Sequence, residues 1–548
     1  MMRHKNWLAI AFMAISISLA YSQQTVKEND YTVTYNKTKI DLQFNLSNAV
    51  VTNAVNVNTQ KPILVRKEGN GYVLDNLSPA EIIKVEYQTN TQKGTSDHTT
   101  YLASPSASSG EINVYFNHAV NTSYSQIQPA VNLGNTLDDM LISYINACQS
   151  TLDIAIYNSY SPSAVTGIAG AINAAYNRGV QVRVIYDGST SSAMIPLLNS
   201  GIPTLASPNN SSYGIMHNKF VIFDANSSDP NKPYVWTGST NWTVVQIDGP
   251  DRNSVITIQD QALALGYKIE FEEMWGGSAM TPDLVNSRFG PYKTDNTPHT
   301  YIIGGKTINS YFSPSDNVTS KIISAINSAD SDINIATMVL TRTDISNAII
   351  NKYNSGLTNL NIVTDTQNPS GNQFEILKAA LATNHVVKFT NSGIMHHKFM
   401  VVDNFNSTSD PLVLLGSHNW SSSAENKNDE NTLIVHDLNI ANQYYQAFAY
   451  LYLDAGGVLT LANPEFTTHE FKLYPNPTSG SIAIDTQNAY ALDNVTVSVH
   501  DVMGKNVYNR EYSSLVHENI TIDSQTTGLY FVTIQSNGKT WHYKVVKE

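Results

Sequence analysis

The chain holds one cysteine, Cys148, in 548 residues. A lone thiol closes no intramolecular disulfide and builds no thiolate metal cluster, so both are excluded. Charge is also scarce: Asp, Glu, Lys and Arg make up 14% of the chain, against 41% apolar residues. That balance excludes a disordered or coiled-coil protein and leaves ample material for globular cores. Basic residues are the rarer kind, 32 against 45 acidic ones, for a formal charge of −13. A protein that coats nucleic acid is thereby excluded, although a local basic cleft is not. The 29 glycines and 20 prolines lie near background and exclude a collagen-like or low-complexity chain.

What is present begins with Arg3, His4 and Lys5 ahead of an apolar run from Leu8 to Ala20. The run has about 13 residues, too short to span a bilayer as a helix. Ala20-Tyr21-Ser22 supplies small residues at the positions a signal peptidase reads, so residues 1–22 read as a signal peptide. No later run reaches 18 apolar residues, so the mature chain from Gln23 is expected to be soluble.

The length predicts several domains. Residues 23–108 read as an all-β sandwich: short β-rich stretches such as YTVTY, KIDLQF and PILVR alternate with Asn, Gly, Pro and Ser breaks. The stretch from LSPAEIIKVEYQ through TTYLAS is similar to the end of a fibronectin type III domain. From 109 the pattern becomes strand–helix alternation, and it occurs twice, over 109–290 and 291–460. INVYF, a helix with Leu137, Leu141, Ile142 and Ile145 on one face, DIAIY, an Ala-rich helix and VQVRVIYD make the first copy. INSYF, a helix with Val318, Ile322 and Ile326, DINIA, another helix and LNIVTD make the second. Apolar strands between amphipathic helices predict sheets covered on both faces. Two copies predict a monomer with an internal pseudo-dimer about an approximate two-fold axis. Residues 466–548 return to short strands (VTVSVHDV, NITID, LYFVTIQ, WHYKVVK) and form a second all-β module.

Both copies contain nearly the same passage. GIMHNKFVIFD (Gly214–Asp224) is followed by TGSTNW (Thr237–Trp242); GIMHHKFMVVD (Gly393–Asp403) is followed by LGSHNW (Leu415–Trp420). Side chains two apart on a strand share a face, so His217 projects with Lys219 and His396 with Lys398. Asp224 and Asp403 lie an odd number of residues further on and are expected behind that face. Ser239 with Asn241, and Ser417 with Asn419, add hydroxyl and amide groups. Two such halves brought together give two imidazoles, two fixed cations and several neutral donors, with no carboxylate or cysteine cluster at metal-ligand spacing. A phosphodiester fits this set. The lysines and the donors neutralise its non-bridging oxygens, one imidazole attacks phosphorus, and the other protonates the leaving oxygen. The lysines then do what a metal ion often does in phosphoryl transfer, and no cofactor is called for.

The duplicated passage resembles the phospholipase D superfamily, whose signature is the same His-x-Lys-x4-Asp with a downstream Gly-Ser-x-Asn. The resemblance implies a two-lobed α/β fold with the site between the lobes. It also implies a metal-independent phosphodiesterase working through a phosphohistidine, with His217, Lys219, Asp224, His396, Lys398 and Asp403 as catalytic residues. Ser239, Asn241, Ser417 and Asn419 then bind the phosphate. His217 becomes the nucleophile and His396 the general acid, with the reverse assignment open. Eleven residues after Asn419 stands Glu430, where the family has an acid that orients a catalytic imidazole. The same count from Asn241 falls on Arg252, beside Asp251 as a substitute, so the two histidines are expected to differ in basicity. His397 is expected to face away from His396.

The tail from YPNPTSG (Tyr474) through VSVHDVMGKNVY and GLYFVTIQSNGKTWHYKVVKE resembles the C-terminal sorting domain of type IX secretion. This implies a Gram-negative source, passage through the periplasm to the exterior or outer cell surface, and the type IX machinery as a partner. For the substrate, an acidic chain without a Lys/Arg stripe favours phospholipid over nucleic acid, because phosphate neutralisation supplies most nucleic-acid affinity. Phosphatidylcholine hydrolysis is therefore expected, with a secreted endonuclease as the alternative and a non-catalytic surface-binding protein as the third reading.

Overall fold

Why the two repeats fold alike is visible in their cores. The computed structural model describes residues 24–548 except 29, 46–48, 92–93, 191, 368, 383, 460–470, 487–491, 503–504 and 537–538. The expected signal peptide, residues 1–22, therefore lies outside the described residues. In the helix Leu137–Ala147, Leu137, Leu141 and Ile145 are buried, four residues apart, so one helical face carries the apolar surface. Ile142 is only partly buried at the edge of that face. Asp138 and Asp139 lie in the first turn, where negative charge suits the positive end of the helix. The helix Pro162–Asn177 starts on a proline, which lacks the N–H that a first turn leaves unpaired.

Each repeat forms an eight-stranded mixed sheet. In the first lobe the order is 131–132, 112–116, 254–259, 234–238, 219–223, 151–156, 181–186, 204–206. In the second it is 300–303, 306–313, 430–436, 412–416, 398–402, 333–337, 360–365, 386–389. Only the edge strand differs in sense: Val131–Asn132 runs parallel to its neighbour, Thr300–Ile303 antiparallel. On the outer side of the first sheet, Val221 and Phe223 pack with Ile154, Val182 and the helices' Leu141 and Ile168. Alternate residues Phe220 and Ile222 turn the other way, into a core shared by both lobes. That core also takes the helices Gln261–Trp275 and Leu438–Asp454, through Tyr267 and Phe271 and through Tyr444 and Phe448, and Phe399 and Val401 from the second sheet. An outer helix layer, a sheet, the central pair of helices, a second sheet and a second outer helix layer thus make one body, and the period-two alternation decides which side chain serves which layer.

The N-terminal region stacks a five-stranded sheet (24–27, 31–35, 40–44, 71–75, 64–68) on a three-stranded one (50–56, 82–91, 94–103). Val33, Ile40, Leu42, Leu74, Ile83 and Val85 fill the space between them, joined by Ile302 from the edge of the second lobe. Ile82 and Ala103, on the other face of the small sheet, enter the inter-lobe core. The region is fastened to the lobes by apolar burial. Residues 460–548 are a separate unit. It packs a three-stranded against a four-stranded sheet around Ile482, Ile484, Val497, Val499, Val532 and Ile534. Among the described residues no helix is long and apolar enough to cross a membrane.

Candidate active site

The segment carrying each histidine is sewn into the opposite lobe. His217 N–H donates to the Asp429 carbonyl at 2.9 Å, and Asp429 N–H to Ile215 at 3.0 Å. Reciprocally, His396 N–H donates to Arg252 at 2.9 Å, and Arg252 N–H to Ile394 at 2.7 Å. Asp187 and Asp365, which end equivalent strands, take the N–H groups of Met216 (2.8 Å) and Met395 (2.7 Å) just ahead of the histidines. These backbone bonds hold the lobes closed around the two rings.

The side chains repeat the pattern. His217 Nδ1 meets Glu430 Oε2 at 2.7 Å, and Ser417 Oγ donates to the same oxygen at 2.8 Å. His396 Nδ1 meets Asn253 Oδ1 at 2.9 Å, and Ser239 Oγ donates to that oxygen at 3.1 Å. Since a carboxylate oxygen and an amide carbonyl oxygen accept, Nδ1 carries the proton in both rings. Nε2 of each ring has no protein partner among the described residues. Lys219 Nζ and Lys398 Nζ each fold back onto the carbonyl of their own histidine, at 2.7 Å. His217 and His396 expose only 5% and 6% of their surface, so both rings are almost wholly shielded from solvent.

Burial governs the electrostatics. It brings the His217 imidazole down to about 4 even though Glu430 pulls the other way. His396 falls well below the ordinary histidine range through burial and the neighbouring Lys398 and Lys219. Burial likewise takes Lys398 down to about 7 and Lys219 well below the usual lysine range. Burial raises Glu430, but the His217 charge and hydrogen bond prevail and bring it to about 2. Burial thus lowers the proton affinity of both imidazoles and both lysines, and an incoming anion would raise it again.

Several expected residues take other parts. Asp224 accepts N–H groups of Gln149, Ser150 and Thr151 at 2.6–3.1 Å, and Asp403 those of Asp330, Ser331 and Asp332 at 2.7–3.3 Å. Both sit at the far end of their strand with positive φ, 52° and 54°. By the resemblance both are catalytic; here each fastens the chain behind the site, through backbone N–H groups rather than an imidazole. Ser239 and Ser417, expected at the phosphate, hold the orienting groups in place here: each hydroxyl donates to Asn253 or Glu430 and accepts from Ser254 or Asn431 N–H. Asn241 and Asn419 keep an amide oxygen with no partner. Arg252 and Asp251 do not supply the first-lobe orienting group. Asp251 Oδ1 takes Ile394 N–H at 2.8 Å, and the loop before the strand Ser254–Gln259 is one residue longer than its counterpart, which moves the equivalent of Glu430 to Asn253. His397 faces away from the site, its Nε2 meeting that of His118 at 2.7 Å in the inter-lobe core.

Sequence reasoning missed Asn253, Asp187 and Asp365; the aspartates had a signal, because both strands VIYD and IVTD end in one. It also missed Tyr157, whose ring lies 4.8 Å from that of His217, edge to face, and 5.0 Å from Lys219 Nζ. The equivalent second-lobe position is Met338, so the aromatic contact is one-sided. Glycine precedes both site serines for a steric reason: a Cβ on Gly238 or Gly416 would strike the carbonyl of Ser254 or Asn431. The one His/Asp/Glu group with ligand spacing among the described residues is Asp295, His299 and Asp316. There the ring lies between the carboxylates, Nε2 at 3.1 Å from Asp295 and Nδ1 at 3.8 Å from Asp316, an ion-pair geometry.

Two family models match parts of the chain. Residues 141–275 and 322–452 match the family model described as cardiolipin synthase, PLD-like domain. Residues 472–548 match that of the secretion system C-terminal sorting domain. The chain carries a duplicated phospholipase D-like domain followed by a type IX secretion sorting domain. The mitochondrial cardiolipin hydrolase of Drosophila melanogaster is 28% identical over 184 residues, covering 30% of this chain and 70% of that protein. The human protein of that name is 30% identical over 146 residues, covering 26% of this chain and 52% of its own length. Among solved structures, the phospholipase D family member Nuc from Salmonella typhimurium is 25% identical, covers 27% of this chain and 95% of its own, and superposes with a TM-score of 0.24. The phosphatidylserine synthase of Haemophilus influenzae is 12% identical, covers 61% of this chain and 90% of its own, with a TM-score of 0.43.

Proposed function

We propose that the protein is a secreted, metal-independent phosphodiesterase that hydrolyses phospholipid head groups, phosphatidylcholine to phosphatidate, through a phosphohistidine. The observation that carries this reading is the pair of rings held through Nδ1 from the opposite lobe, His217 on Glu430 and His396 on Asn253, with both Nε2 atoms left free. His217 Nε2 attacks phosphorus, the bond from phosphorus to the head-group oxygen breaks, and that oxygen takes the proton from His396 Nε2. The resulting phosphoimidazolium is cationic, and Glu430 offsets that charge. Water then attacks phosphorus, His396 takes its proton, and His217 leaves. Lys219 and Lys398, with the amides of Asn241 and Asn419, hold the non-bridging oxygens. The negative charge of the diester raises the proton affinity of His396 and of both lysines, and so arms the acid.

The relatives named cardiolipin hydrolase add cardiolipin, another glycerophosphodiester, to the lipids to be tested. The chain's charge of −13 disfavours the endonuclease reading, since nucleic-acid affinity rises with phosphate neutralisation. The test is turnover of phosphatidylcholine vesicles, cardiolipin vesicles and single- and double-stranded DNA by the mature protein in excess EDTA. Head-group release that survives the chelator and disappears in His217→Asn and His396→Asn is expected. DNA cleavage alone replaces the lipid with nucleic acid; no turnover of any of them returns the protein to the binding class.

A further inference from the structure

Asn253 and Glu430 occupy equivalent places and differ in charge. Each receives a histidine Nδ1 (2.9 and 2.7 Å) and a serine hydroxyl (3.1 and 2.8 Å) on one oxygen. Both are wholly buried, at 0% exposure. Asn253 is itself fixed by its N–H on Asn117 Oδ1 at 2.7 Å, while Asn117 Nδ2 ties down the Gln246 and Asp251 carbonyls of the same loop. The groups ranged around His396 are Lys398 and His397 from its own segment, and Lys219 and His217 from the other lobe. Arg252 stands beside Asn253 in the chain, and Asp251 and Asp365 face Lys398.

We propose that Asn253 is a positioning residue that divides the labour between the two histidines: its neutral carbonyl orients His396 without lending it negative charge. His396 thereby becomes the proton carrier, and His217, backed by Glu430, the ring that bears phosphorus. This rests on the phosphodiesterase reading. An imidazole that must release a proton in the first step and recover one in the second works best when neither form is locked in. A carboxylate at 253 would lock in the imidazolium. A cationic phosphoimidazole gains instead from a fixed negative charge, which is what the other ring has.

The test uses Asn253→Asp, close in shape, with bis(p-nitrophenyl) phosphate as probe. Its leaving group needs little help from an acid, so turnover is limited by breakdown of the phosphoenzyme, a step that needs His396 unprotonated. The acid limb of the kcat profile is expected to move to higher pH by about one unit or more, with KM changed less than about threefold. An unmoved limb in folded Asn253→Asp overturns the proposal. Ring-nitrogen NMR of the wild-type protein decides it independently, even if that variant does not fold. The Nδ1-protonated tautomer on His396 supports it, and the Nε2-protonated tautomer, which needs the Asn253 amide turned round, overturns it. If the wild type does not cleave the probe, the phosphodiesterase reading fails, while the tautomer and the His396 titration still judge the role of Asn253.

Discussion

Glu430 of the second lobe accepts the Nδ1–H of His217 of the first at 2.7 Å, so the orienting carboxylate and its imidazole lie on different repeats. Neither lobe alone holds a complete His217 site. Glu430→Gln keeps a hydrogen-bond acceptor and removes the charge. Turnover is expected to fall about 10- to 100-fold, on the scale of losing an acid–base orienter. Single-turnover kinetics should place the loss in formation of the phosphoenzyme, and an unchanged rate would reject the role.

The ammonium groups predict a proton balance. Burial lowers Lys398 to about 7 and Lys219 well below its usual range, and a bound anion opposes that effect. Inorganic phosphate or vanadate binding at pH 8 should therefore take up protons from solution. Calorimetry in buffers of different ionisation enthalpy reads this directly; Lys398→Met should reduce the uptake, and affinity should fall as pH rises.

Asp224 and Asp403 are expected to matter for stability more than for chemistry. Asp224→Ala leaves the N–H groups of residues 149–151 without that acceptor, at a cost of about 1–3 kcal/mol each for those water cannot reach. The thermal midpoint should drop clearly, while kcat of the folded fraction stays within about tenfold. A variant that keeps its midpoint and loses all turnover would return Asp224 to the catalytic set.

A buried charge network stands behind Asp429. Lys293 pairs with Glu270 and lies 3.4 Å from Asp429, its side chain wholly buried. Lys293→Met strands those carboxyls and is expected to cost about 3–5 kcal/mol in urea unfolding at pH 7–8. Burial raises Glu270 to about 8 and Asp429 to about 6. A carboxyl raised in the folded state adds stability as pH falls below its folded value. The deficit of Lys293→Met, whose carboxyls would be raised further, should therefore shrink toward pH 5, and a deficit that grows on acidification would refute this assignment.

The His-x-Lys passages were legible because they occur twice, each leading into an apolar strand and each followed by a Gly-Ser-x-Asn-Trp turn. Lobe helices and strands were legible for the same reason that they fold: a period of 3.6 or 2 in apolar residues is itself the instruction to bury one face. Asn253 was not legible, because a one-residue difference in loop length defeats counting, and only strand register shows that Ser254 stands opposite Ser239 as Asn431 does opposite Ser417.

The sequence by itself determined the inventory: two imidazole–lysine pairs, an acidic and cysteine-poor chain, α/β repeats between β-rich ends. Tertiary structure alone decided the partnerships. Which acceptor meets which ring depends on strands hundreds of residues apart crossing between lobes, and how far burial moves each proton affinity depends on the three-dimensional shell of charges and water around it. Sequence spacing encodes neither, because electrostatic energy follows distance in space and not along the chain.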